Sequence, residues 1–143
     1  MNYKTSELEG HLLDVAVAMA LGIKGNLRDG RAGCYLIPFD TGPSEDPKFG
    51  DIFEPSTRQD HGGPIMERER IGTEFYRGAG DPLGYWAAVP KDEQGHELPH
   101  PDPKLHAEMA SGWWPVTAHG PTPLIAGMRA RVMMRYGDEV EIP

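Results

Sequence analysis

Two stretches of the chain combine residue types that bind anions. In the first, His61-Gly62-Gly63-Pro64 leads into Glu67-Arg68-Glu69-Arg70. Gly62 and Gly63 let a ligand approach the backbone, and Arg68 or Arg70 can fork onto a phosphate. In the second, Gly120-Pro121-Thr122-Pro123 opens a segment that continues to Arg129. Free backbone N–H groups at the positive end of a helix dipole suit a phosphate or carboxylate. Both stretches also have plain structural readings. The alternating signs from Glu67 to Arg70 neutralise one another on a solvated face. Thr122 is a good helix cap, and Pro123 removes one of the donors an anion needs. Trp113 and Trp114, with Tyr85 and Trp86, supply flat surface that stacks a nucleobase or anchors a protein partner. Successive strand residues face opposite ways, so one of Trp113 and Trp114 is the more exposed.

Catalytic patterns are thin. The nucleophile elbow and the phosphate-binding loop are both missing. Gly78-Ala79-Gly80-Asp81-Pro82-Leu83-Gly84 has the wrong spacing for a dinucleotide fingerprint and carries a proline where the helix should start, so it reads as a turn. Asp60 beside His61 has the makings of an acid/base pair, and Cys34 of a nucleophile, but neither has a third group to orient it. Cys34 within an apolar run reads as inert core. His96, His100 and His106, with Glu97 and Asp102, have metal-like spacing but lie in a proline-rich loop without a cysteine partner. We expect no metal and no cofactor.

The elements that must position these residues are modest. Only 27 of 143 residues are Leu, Ile, Val or Phe, so the core is small, helped by seven Met and three Trp. Eighteen Gly and fourteen Pro imply many turns. With 14 basic and 22 acidic residues the net charge is −8, which argues against a general binder of nucleic acid or anionic membrane. No apolar run approaches the about 18 residues of a membrane span, and the polar N-terminus lacks a signal-peptide segment. One cysteine excludes an internal disulfide framework. The expected setting is a reducing cytoplasm.

Leu13, Ala16, Val17, Ala20 and Leu21 recur at helical spacing, with Ser6 and Glu9 as a capping box or Gly10 as the cap, and Gly22 as the stop. A second helix follows Thr122, with Leu124, Ile125, Met128, Val132 and Tyr136 as its apolar stripe and Gly137 as its end. Strands are expected at 33–39 and 85–89, with Ile52-Phe53 as part of a third. Met1 to Lys4 and the tail from Asp138 are short edge candidates. Gly62-Gly63-Pro64 reads as a turn before a short helix at 65–71. Leu105 to Ala110 suggests one helical turn. Residues 91–104 read as an exposed loop. The expected fold is α+β: one domain over 1–143, a small antiparallel sheet with the N- and C-terminal helices packed on one face, loop-rich.

Several separated blocks carry a family resemblance. They are Lys4-Thr5-Ser6-Glu7-Leu8 running into Leu13-Asp14-Val15-Ala16-Val17-Ala18, then Pro55-Ser56-Thr57, then Gly62-Gly63-Pro64-Ile65-Met66-Glu67. Tyr85-Trp86-Ala87-Ala88, Gly120-Pro121-Thr122-Pro123-Leu124-Ile125-Ala126-Gly127-Met128-Arg129 and Tyr136-Gly137-Asp138-Glu139-Val140 follow. In order and spacing the chain resembles a phage-encoded family of domains of unknown function that includes the lambdoid NinX protein. The resemblance implies a phage or prophage origin and a small α+β domain, and brings no catalytic mechanism. Against it, 91–115 looks like a loop insertion and 40–50 looks longer than usual.

The functional expectation is a small-ligand binding protein without catalysis. Its nucleotide-like ligand would meet Gly62, Gly63, Arg68, Arg70, Trp113, Trp114, Thr122 and Arg129. In the phage setting implied by the resemblance, the concrete form is a sponge that sequesters a nucleotide-derived host immune signal. A chain with so little core gains from self-association, so a homo-oligomer is expected. The alternatives are an acidic module that modulates a host protein, and a small hydrolase of the same signals using His61 or the histidine loop.

Overall fold

The computed structural model describes residues 1–22, 54–77, 84–102 and 115–142, with the backbone of 26–27 and 35–36. In chain order its elements are β1 (Asn2–Lys4), a 3-10 turn (Thr5–Glu7), α1 (Gly10–Ala20), β2 (Asn26–Leu27), β3 (Tyr35–Leu36) and α2 (Gln59–Arg68). They continue with β4 (Gly72–Tyr76), β5 (Tyr85–Val89), β6 (Ala118–Gly120), α3 (Pro123–Tyr136) and β7 (Glu139–Glu141). The class is α+β, as expected. All described strand pairs are antiparallel: β1 with β7, β2 with β3, and a three-stranded sheet in the order β4-β5-β6.

Helix α3 is the hub. Thr122 caps it, its Oγ1 accepting from Ile125 N at 3.1 Å, with Pro123 in the first turn. One side of α3, with Met128 and Val132, joins Leu13, Ala16 and Val17 of α1 and Ile65 of α2. A second side, with Ala126, Ala130 and Met133, lies on the sheet against Ala88 and Ala118. Alanine on both surfaces brings helix and sheet close. Gly120 completes the fit, because a Cβ there would sit 2.7 Å from Ala126 N. Helix α3 therefore lies directly on the sheet, and α1 lies on α3. The apolar stripe predicted for α3 covers only the α1 side; the alanine side carries too little hydrophobicity to stand out in sequence. Helix α1 likewise buries more than its predicted stripe, since Asp14, Val15 and Ala18 are also buried.

The two ends of the chain are clasped. Strand β1 pairs with β7 from Asn2↔Glu141 to Lys4↔Glu139, and Thr5 Oγ1 donates to Gly137 O at 2.7 Å. Gly137 ends α3 at φ 79°, and Gly22, at φ 72°, follows the end of α1.

Three expectations need correction. The capping box does not form: Ser6 lies in the 3-10 turn, and Glu9 is the N-cap of α1 without a side-chain bond. Gly62-Gly63-Pro64 is not a turn but the interior of α2. Packing decides this, because a Cβ on Gly62 would collide with Pro55 O and stand 2.8 Å from Leu124 Cδ2. Tertiary contact outweighs the low helix propensity of these residues. The segment after β5 is no loose loop either. Lys91 bridges Glu97 across a turn at Gly95, Leu98 N donates to Pro90 O, and Val116 N donates to Leu98 O. Its His100 is buried, 3% exposed, with Nε2 2.9 Å from Asp138 Oδ1 and Nδ1 accepting from Asp102 N. The predicted strand at 33–39 is described only at Tyr35–Leu36. Cys34, Ile52-Phe53, the turn at 105–110, His106, Trp113 and Trp114 lie outside the described residues.

Candidate functional site

Side chains alternate along a strand, so the register assigns each residue of β4-β5-β6 to a face. Trp86, Ala88 and Ala118 belong to the side against α3. Glu74, Tyr76, Tyr85, Ala87, Val89 and His119 belong to the other side. No described helix covers that outer face. Three of its side chains form an aromatic row across the three strands. Tyr76 and Tyr85 stack with centroids 5.7 Å apart at 21°, and Tyr85 meets the His119 ring edge-on at 5.0 Å.

Beside the row is a concavity of about 260 Å³ lined by Gly72, Glu74, Tyr76, Ala87, Lys91 and Glu97, among others. Each lining group has a local cause. Gly72 and Ala87 are small, which leaves the space open above the floor. Lys91 and Glu97 face one another in the bridge that opens the hairpin after β5. Asp92 Oδ1 secures that hairpin by accepting from Gln94 N and His96 N, both at 2.9 Å. Tyr76 donates its hydroxyl to Glu74 Oε2 at 2.6 Å. That bond to a carboxylate raises the Tyr76 phenol above its ordinary pKa, so it stays a protonated donor. The site thus sets the Tyr76 ring, at the end of the aromatic row, beside two carboxylates and one ammonium. Its size suits one planar ring system better than a large ligand.

Of the residues singled out from sequence, Gly62, Gly63, Arg68, Arg70, Thr122 and Arg129 do not line this concavity, and Trp113 and Trp114 lie outside the described residues. Gly62 is buried against Pro55 and Leu124, and a Cβ on Gly63 would meet Gln59 Nε2 at 2.5 Å. Arg68 is exposed, 3.8 Å from Glu69 Oε1. Arg70 is exposed at φ 51°, where Arg70 N donates to Glu67 O and Ile71 N to Met66 O. That is the Schellman closure of α2, with Arg70 where glycine is usual. Thr122 is exposed and caps α3. Arg129 is 8% exposed, and its donors turn inward: Nε to Leu8 O at 2.7 Å and Nη1 to His119 O at 2.9 Å. Burial pulls its guanidinium below the ordinary pKa, while the charge of Glu9 works the other way. Gly62 therefore serves packing, and Arg129 ties elements together. Of the aromatic surface seen in sequence, Tyr85 is in the row and Trp86 is on the α3 side.

A second cluster of polar groups joins α1 to α2. Asp14 is buried and its Oδ1 accepts from Ser56 N at 2.9 Å. Desolvation raises its pKa, opposed by the bonds from Ser56. His61 Nδ1 accepts from Glu54 N at 3.0 Å, which places the ring proton on Nε2, 3.9 Å from Asp60 Oδ2. Asp60 is gripped by Arg58 at 2.7 and 3.2 Å, which holds its carboxyl below the usual range. The Nδ1 lone pair of His61 is thus committed to a backbone donor.

Among the described residues, no group of three His, Cys, Asp or Glu is placed to hold a metal ion, and no helix is long and apolar enough to cross a membrane. Comparison with curated proteins gives no match. A family model described as bacteriophage P22 NinX matches residues 4–135. The blocks at 13–18, 55–57, 62–67 and 120–129 fall inside that match, and in space they meet at the Asp14–Ser56 bond and at Gly62 between Pro55 and Leu124. By its sequence over nearly the full length, the chain belongs to the phage P22 NinX family.

Proposed function

We propose that this phage protein is a binding module for a small nucleotide-like ligand, held on the outer face of the β4-β5-β6 sheet. The observation that carries the reading is the row Tyr76–Tyr85–His119 beside the concavity. Exposed rings on a rigid sheet stack a heteroaromatic ring at little entropic cost, and stacking contributes about 1–3 kcal/mol per base. Among the described lining residues Lys91 is the cation available to a phosphate, on the hairpin rim. Physiologically, the role is that of a cytoplasmic sponge that sequesters a nucleotide-derived host immune signal without altering it, as a homo-oligomer.

The test is retention. The protein is incubated with cyclic dinucleotides and ADP-ribose derivatives and filtered, and the retained fraction is heated and chromatographed. A sponge depletes one nucleotide from the filtrate and returns it intact, and Tyr85→Ala weakens retention at least fivefold. A chemically converted product, or equal retention by Tyr85→Ala, refutes the reading.

A second reading has its own support. Phe75 and Tyr76 are 47% and 45% exposed at the end of edge strand β4 in a chain of net charge −8. Exposed aromatics within an acidic surface suit a basic host protein that the module would modulate. An unchanged nucleotide panel, with loss of a captured partner on Phe75→Ser, favours this alternative.

A further inference from the structure

We propose that the sheet face selects a ring bearing an exocyclic amino group, as in adenine or cytosine, over the corresponding oxo ring. The inference rests on the ligand-binding reading above and adds the chemistry that the site distinguishes. Three charged side chains line the concavity: Glu74, Glu97 and Lys91. Two of them are carboxylates, which only accept hydrogen bonds, and one is an ammonium, which only donates.

Glu74 is the better placed of the carboxylates. It shares the outer face of β4 with Tyr76, two residues on, and lies opposite Ala87 in the register. The Tyr76 hydroxyl donates to its Oε2 at 2.6 Å, which fixes the carboxylate beside the ring that would stack a base. A carboxylate has about four acceptor positions, and this bond uses one. Of the other lining residues, Gly72, Ala87 and Val89 carry no side-chain donor, and the Thr73 side chain alternates to the α3 side of β4. A ring stacked on the tyrosines therefore turns an edge toward fixed acceptors. An amino group at that edge donates to Glu74, as glutamate does when it accepts from cytosine N4 in a DNA groove. A ring carbonyl at the same place sets lone pairs against a negative charge and loses the bond as well. Lys91, across the concavity, offers its donor to a ring nitrogen or a phosphate.

The experiment uses the full chain titrated with adenosine, inosine, cytidine and uridine, followed by calorimetry and by ligand-observed NMR. Adenosine is expected to bind between about fivefold and 150-fold more tightly than inosine, and cytidine more tightly than uridine. Glu74→Gln should shrink both ratios, because an amide also offers N–H to a ring carbonyl. Glu74 is exposed, so the variant is expected to fold. Equal affinities within each pair, with binding still lost in Tyr85→Ala, overturn the selection and leave the binding site standing. If none of the four nucleosides binds, both readings fail. If Glu97→Gln moves the ratios and Glu74→Gln does not, the assignment to Glu74 is overturned.

Discussion

Replacing Arg129 tests whether this residue holds the fold together. Its guanidinium reaches from the middle of α3 to two carbonyls more than a hundred and ten residues apart, Leu8 O and His119 O, at 2.7 and 2.9 Å. Leu8 is 2% exposed, so its carbonyl has little access to water once the donor is gone. Each charged hydrogen bond contributes about 1.5–3 kcal/mol, and the recovered desolvation of the cation offsets part of the sum. Arg129→Met keeps the aliphatic stem and removes both donors. A loss of roughly 2–4 kcal/mol is expected, which for a chain of this size lowers the melting midpoint by about 6–15 °C. Arg129→Lys keeps the charge but not the fork, and should fall between the two. Urea and thermal unfolding of the three proteins measure this directly. A midpoint for Arg129→Met within about 2 °C of the parent would refute the reasoning, because neither carbonyl would then need the donor. Ligand retention well below the midpoint separates the roles, since a purely structural arginine leaves it unchanged.

Two further perturbations follow from the same geometry. Gly62→Ala should destabilise by about 1–3 kcal/mol, because its Cβ meets the rigid Pro55 carbonyl, whereas Gly63→Ala meets only the movable end of Gln59 and should be neutral or stabilising; equal midpoints in chemical denaturation would count against the packing role of Gly62. Asp14 has a folded pKa raised above 3.8 by burial, so its contribution to stability is complete below the unfolded pKa and is lost as pH rises through the folded value. Asp14→Asn keeps an acceptor for Ser56 N, so its stability relative to the parent should improve as pH rises from the unfolded pKa of about 3.9 through the raised folded value, and a difference independent of pH would remove the desolvation argument.

Much of the fold was legible where local and tertiary preferences agree. Thr122-Pro123 and Gly137 bound α3 because capping chemistry is local, and Tyr85 to Val89 forms a strand that ends at Pro90. What escaped notice depends on distant partners. Strand β6 has only three residues, Ala118–Gly120, and no pattern of its own; its pairing with β5 and its cover by α3 create it. Strand β4 carries a signal in Thr73, Phe75 and Tyr76, all strand-favouring, but it follows directly on the charged end of α2. The candidate site suffered accordingly. Tyr85 is legible as flat aromatic surface, but Tyr76 and His119 join it only through a register that the sequence does not display. The arginines drew attention as phosphate ligands, yet an arginine on a helix flank can equally turn inward, and only Leu8 and His119 reveal that Arg129 does.

The same alanines that hide α3 in the sequence explain why the sheet has a usable face. Ala126 and Ala130 bring the helix close to Ala88 and Ala118, so one helix covers the inner side of β5 and β6. An outer face left to solvent on an antiparallel sheet is ordinarily polar. The outer face here, which no described helix covers, carries Tyr76, Tyr85, Ala87 and Val89, with Ala87 8% exposed. Stability of the core does not require rings on that side, because the α3 contacts are made by the opposite residues. The hairpin from Lys91 to Glu97 stands at the edge of this surface and leaves a gap of about 260 Å³ beside the rings instead of closing over them. A flat apolar floor, a wall of rings and charged groups confined to the rim divide the work of recognition between stacking and edge contacts. That division is why Tyr85 should set affinity while Glu74 sets the choice between rings, and why the two substitutions should be separable in one titration.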